Sequence, residues 1–92
     1  MNNELKQCIK EWDEKGWSCR KIEKNEWNRE KLRFYEREHD TFITIYLDTL
    51  SYIKEEYYAD GGGPTITKPI TLKEHELIHK TIKALKLEAK DE

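Results

Sequence analysis

A chain of 92 residues with 17 Lys and Arg against 19 Asp and Glu is one domain, and its near-balance of charge excludes a global pull toward nucleic acid or an anionic membrane. Only 36% of the residues are hydrophobic and 39% are charged, but 11% are aromatic and the net charge is just −2. That combination excludes a disordered chain and predicts a modest core beneath a heavily solvated surface. No apolar run is long enough to span a bilayer and no signal-peptide core is present, so the expectation is a cytoplasmic protein with no membrane partner.

Asn2 or Asn3 can cap a first helix, because the Asn side chain accepts bonds from the free N–H groups of the first turn. Leu5, Cys8, Ile9 and Trp12 follow at helical spacing as one buried stripe, and Gly16 supplies the left-handed residue that ends the element, predicting a helix over 3–15. Trp17 and Cys19 alternate with Ser18 and Arg20, which begins a strand over 17–24. Asn25 and Asn28 mark a turn around Trp27, a large ring in a polar setting and a candidate contact anchor. Two cysteines, Cys8 and Cys19, make no disulfide framework and fall on core faces, as buried thiols in a reducing compartment do.

The stretch 31–48 alternates on both sides of His39–Asp40, predicting hairpin strands over 30–38 and 41–48. A two-residue turn there sets Leu32 opposite Leu47, Phe34 opposite Ile45 and Glu36 opposite Ile43. The other face then pairs Lys31 with Asp48, Arg33 with Tyr46, Tyr35 with Thr44 and Arg37 with Phe42. Slipping by one residue would mix aliphatic with cationic and aromatic side chains, so the pattern specifies which face is which. His-Asp is a weak pair for so tight a turn, which leaves room for a longer loop. Residues 49–58 read two ways: Leu50, Ile53 and Tyr57 have helical spacing, while the alternation, three tyrosines and an isoleucine favour a fourth, edge strand guarded by its charges; 61–70 reads as a flexible Gly/Pro loop. Thr71 and Glu74 form a capping box before a second helix over 72–88. That helix is expected to bury His75, Ile78, Ile82, Leu85 and Ala89, with Leu77 at the margin and 90–92 as a frayed tail. The order predicts an α+β two-layer sandwich in one domain over 1–92: an antiparallel meander of three or four strands with both helices on its aliphatic face.

His75-Glu76-Leu77-Ile78-His79 matches H-E-x-x-H, which sets two imidazoles on one helical face with Glu76 as a base for a bound water. Only thirteen residues follow His79, Leu85 stands where a further histidine is wanted, and Lys80 adds a cation beside the pair. A catalytic zinc wants a third protein ligand, so neither a metal nor another cofactor is expected, and His75 and His79 are the only candidate metal ligands of that motif. The glycines at 61–63 lack the Lys-Ser or Lys-Thr of a phosphate cradle, and no serine has a neighbouring base, so no catalytic residue is assigned.

The outer hairpin face carries the better signal. Lys31, Arg33, Tyr35 and Arg37 beside Phe42, Thr44 and Tyr46 form a ladder of cations and rings, joined as a binding surface by Trp27. Tyr, Trp and Arg dominate protein interfaces, so the expected function is a non-enzymatic protein-binding module whose partner is another protein or a second copy. An accessory, inhibitor or regulatory protein of bacterial or phage type would suit the size and charge. The same face can stack bases and neutralise phosphates, making a nucleic-acid-binding domain the alternative, and a zinc-dependent hydrolase stands a distant third. The α-β-β-β-α order resembles that of double-stranded-RNA-binding domains, a likeness of fold that implies shape recognition of nucleic acid and is unsupported by any of their motifs.

Overall fold

The computed structural model describes residues 2–57 and 64–90. In chain order the elements are α1 (Asn3–Glu14), β1 (Trp17–Ile22), β2 (Lys31–Glu36), β3 (Thr41–Tyr46), β4 (Tyr52–Tyr57), β5 (Thr65–Thr67) and α2 (Leu72–Lys90). The five described strands form one antiparallel sheet in chain order, an α+β layout with one strand more than expected. Tyr58, the glycines at 61–63, residues 91–92 and the side chain of Ala89 lie outside the described residues. Among the described residues, no helix is long and apolar enough to cross a membrane.

Local chemistry starts and stops the helices as the sequence implies. Asn2 Oδ1 accepts from the N–H of Leu5 at 2.7 Å, and its Nδ2 donates to the Ala84 carbonyl at 3.1 Å, so one cap also ties α1 to α2. Gly16 takes φ +93°, a conformation that side chains resist, and turns the chain into β1. Thr71 Oγ1 accepts from the Glu74 N–H at 3.2 Å, while Glu74 Oε1 accepts from the Thr71 N–H at 2.9 Å.

Both helices bury their apolar residues in one core with Trp17, Leu32, Phe34, Ile43 and Ile45, the inward side chains of the sheet. Trp12 is its centre. The indole stacks on Phe34 at 4.3 Å between centroids and meets Trp17 edge-on at 5.5 Å. Its Nε1–H donates to Thr81 Oγ1 at 3.0 Å, and that hydroxyl donates onward to the Leu77 carbonyl at 2.7 Å. Every polar group in this buried chain is thereby satisfied, as a low-dielectric interior requires.

Four expectations need correction. The hairpin register is displaced by two residues: Leu32 faces Ile45, Phe34 faces Ile43, Arg33 faces Thr44 and Tyr35 faces Phe42. The connection over 37–40 is longer than two residues, with a turn closed by the His39 N–H on the Glu36 carbonyl at 3.4 Å. An even displacement leaves every side chain on its face and changes only its neighbours. Residues 65–67 are a strand, not loop, their β-branched Thr-Ile-Thr pairing with Glu55, Glu56 and Tyr57. β4 is therefore interior, and its inward Lys54 guards no edge: Nζ bonds Glu74 Oε1 and Oε2 at 2.8 and 3.0 Å. Finally, α2 buries Leu77, Ile78, Thr81, Ile82 and Ala84, whereas His75 and Leu85 are only half-buried. Packing against α1 as well as the sheet turns the buried arc of α2 toward Leu77.

The Lys54–Glu74 pair is largely withdrawn from solvent, with side chains 13% and 16% exposed. Burial alone would raise the Glu74 carboxyl, but Lys54 and the Thr71 N–H more than offset it and leave it below its ordinary value of 4.5. This stabilisation is complete above 4.5 and lost as pH falls through the lower folded value. Thermal melts should therefore show stability declining below that point, and Glu74→Gln should flatten the decline. Thr81→Val keeps the shape but leaves the Trp12 N–H unanswered, and chemical denaturation should register a loss of about 1–3 kcal/mol.

Candidate functional site

The outer face of the sheet carries none of the core side chains contributed by the helices. Across its first three strands, Ser18, Tyr35 and Phe42 form one row, Arg20, Arg33 and Thr44 a second, and Ile22, Lys31 and Tyr46 a third. β4 continues the first two rows with Glu55 and Ile53. Alternation along each strand decides this placement; the pairing of strands decides who stands beside whom.

The central strand is sealed on this side by its neighbours. Phe42 is 3% exposed and Thr44 0%. The Arg33 guanidinium lies over the Phe42 ring at 4.6 Å while its Nε–H donates to Thr44 Oγ1 at 3.0 Å. Tyr35 and Tyr57 flank Phe42 at 6.0 and 4.9 Å between centroids. Phe42 is thus a foundation for the face and not a contact surface. At the other end Arg29 lies over the Tyr46 ring at 4.2 Å, with Lys31 at 5.8 Å. Arg29 also bonds both Asp48 carboxylate oxygens, at 2.9 and 2.7 Å, which holds that carboxyl below the ordinary range.

Of the residues singled out in the sequence, Lys31, Arg33, Tyr35, Phe42 and Tyr46 are brought together on the face. Arg37 is not among them. It lies beyond the end of β2 and closes the C-terminus of α1, with Nη1 on Asp13 Oδ1 at 2.9 Å and Nη2 on the Asp13 carbonyl at 2.7 Å. A cation beside the negative end of a helix is stabilising there, so its work is structural. Trp27 is 86% exposed. Its turn is stiff: Asn25 Oδ1 accepts from the N–H groups of both Trp27 and Asn28 at 2.8 Å, and the Asn25 N–H donates to the Asn28 carbonyl at 3.0 Å. Sequence reasoning missed Arg20, directly opposite Arg33, because strand-to-strand register is invisible in either strand alone. It also missed Arg29, whose position outside the alternating pattern hid its stacking on Tyr46.

His75 and His79 sit at the junction of α2 and β4, with the Tyr52 hydroxyl 3.3 Å from His75 Nδ1 and 3.2 Å from His79 Nε2. Among the described residues, no group of three or more His, Cys, Asp or Glu side chains is arranged to hold a metal ion. No protein-family model, curated protein or solved structure matches the chain.

Cys8 is buried, Cys19 is half-buried, and both are free thiols. Burial pushes the Cys19 thiol up to about 11 and raises Cys8 as well, against the opposing influence of the nearby Thr81 hydroxyl. Neither is an activated nucleophile. A chromogenic disulfide reagent at pH 8 should react slowly with the folded protein and rapidly with both thiols once guanidinium unfolds it.

Proposed function

We propose that this chain is a non-enzymatic binding module whose outer sheet face docks an acidic surface of another protein. The observation that carries the reading is the clustering of three cations. Arg20, Lys31 and Arg33 lie on adjacent strands of one face, and none forms an ion pair among the described residues. The other two arginines, Arg29 and Arg37, both have carboxylate partners. Two arginines directly opposite each other destabilise a sheet by roughly 0.2–1 kcal/mol, a cost that a partner's carboxylates would relieve. Arg33 spends its Nε–H on Thr44 and keeps the rest of its fork for a planar acceptor such as a carboxylate.

The same geometry argues against base stacking, because guanidinium groups already cover Phe42 and Tyr46. It argues equally against two copies meeting face to face with the two-fold axis at the Arg20–Arg33 pair, which would press like charges together. Trp27, held outward on its stiff turn, is a second anchor of the kind that contributes most to interface energy.

Affinity capture from the native cell after nuclease treatment tests this reading. Wild type and a Lys83→Glu control should retain an acidic protein that Arg20→Glu/Arg33→Glu loses, with affinity falling roughly tenfold or more per arginine. Loss of the partner on nuclease digestion would favour nucleic acid, and capture indifferent to both arginines would sink the proposal. Arg20→Thr alone should weaken capture while raising the melting temperature of the free protein, since it removes the like-charge pair.

A further inference from the structure

Tyr52 reaches from the inward face of β4 to the two histidines of α2, and the three ring centroids form a near-equilateral triangle with sides of 5.8, 5.9 and 6.0 Å. The phenol oxygen stands 3.3 Å from His75 Nδ1 and 3.2 Å from His79 Nε2, at the long end of the hydrogen-bond range, and its single proton can serve only one of the two. Those separations match the donor-to-donor edge, about 3.3 Å, of a tetrahedron whose bonds to a central ion are about 2.0–2.1 Å. We propose that Tyr52 Oη, His75 Nδ1 and His79 Nε2 bind one divalent ion of the nickel–copper–zinc group, the imidazoles neutral and the phenol releasing its proton to solvent as the ion binds.

The residues around the triangle are compatible with a cation. Tyr52 is the third protein ligand that the H-E-x-x-H spacing lacks, and it comes from a strand 23 residues upstream of His75. Lys80, adjacent to His79 in sequence, extends its Nζ to Glu11 on α1 at 3.5 Å. Lys54 is neutralised by Glu74 at 2.8 Å. Imidazole nitrogen with one oxygen donor suits borderline transition ions, whereas calcium and magnesium want oxygen alone. His79 is exposed and His75 half-buried, so water can complete the fourth position. Binding would staple α2 to β4 and stabilise the fold by mass action.

The test is titration of the intact protein with Zn2+ by calorimetry, with Co2+ as an absorption probe of tetrahedral geometry. One ion should bind per chain, with a rise in melting temperature. His79→Ala, at an exposed position, should weaken binding at least about tenfold, and Tyr52→Phe by about tenfold with a changed Co2+ spectrum. His39→Ala and Cys19→Ser should bind as wild type does. Three results would overturn the proposal: no saturation by Zn2+ at about 1 mM, unchanged affinity in His79→Ala, or full affinity in Tyr52→Phe.

Discussion

The Trp12 indole is where this protein is joined together. It leaves α1, lies flat on Phe34 of β2, meets Trp17 of β1 by its edge and hands its single proton to Thr81 of α2. From α1 it thus touches three other elements, with both of its capacities, apolar area and a directed donor. The hydroxyl that accepts this hydrogen bond donates its own to the Leu77 carbonyl, so both of its capacities are used. Helix packing, sheet placement and polar satisfaction are consequently one condition. α2 can approach the core only in the rotation that presents Thr81, and that rotation moves Leu77 inward and His75 to the margin facing Tyr52.

From that arrangement follows a division of labour between the faces of the sheet. Inside, charge is admitted only where it is answered, as between Lys54 and Glu74. Outside, the central strand is buried without any covering helix, because Arg33 and two tyrosines lie across Phe42 and Thr44. The guanidinium there is a lid for the rings beneath it and a charge for whatever lies above it. Arg29 repeats the device over Tyr46 with Asp48 as its counter-ion, while Arg20, Lys31 and Arg33 have no such partner among the described residues. The side chains of this face are thus held by one another.

Some of this was legible in advance. The alternation within 31–36 and 41–46 assigned the strand side chains to their faces, and Asn2, Gly16 and the Thr71–Glu74 box marked helix ends where they occur. Trp27 stood out as a ring without a core, and it is exposed. Other features were beyond reach. The turn at 37–40 carries no dipeptide that dictates its length, so the register came out two residues off. Thr65–Thr67 is too short for its alternation to register as a pattern, and β4 was consequently read as an edge. Arg37 continued an alternation that the backbone abandons at Glu36, which is why a clamp on α1 looked like part of a surface.

By itself, then, the sequence determined which side of each element is apolar, where the helices begin, and that one face of a hairpin would be cationic and aromatic. Those properties depend on the period of a helix or strand, and a period is written within a dozen consecutive residues. Only the tertiary structure decided that Arg20 stands against Arg33, that Phe42 disappears beneath a guanidinium, and that Tyr52 completes a triangle with two histidines. Each of these is a relation between segments, set by strand register and by the rotation of a helix about its own axis. Both are chosen by the packing of the whole core around Trp12, and no single segment records them.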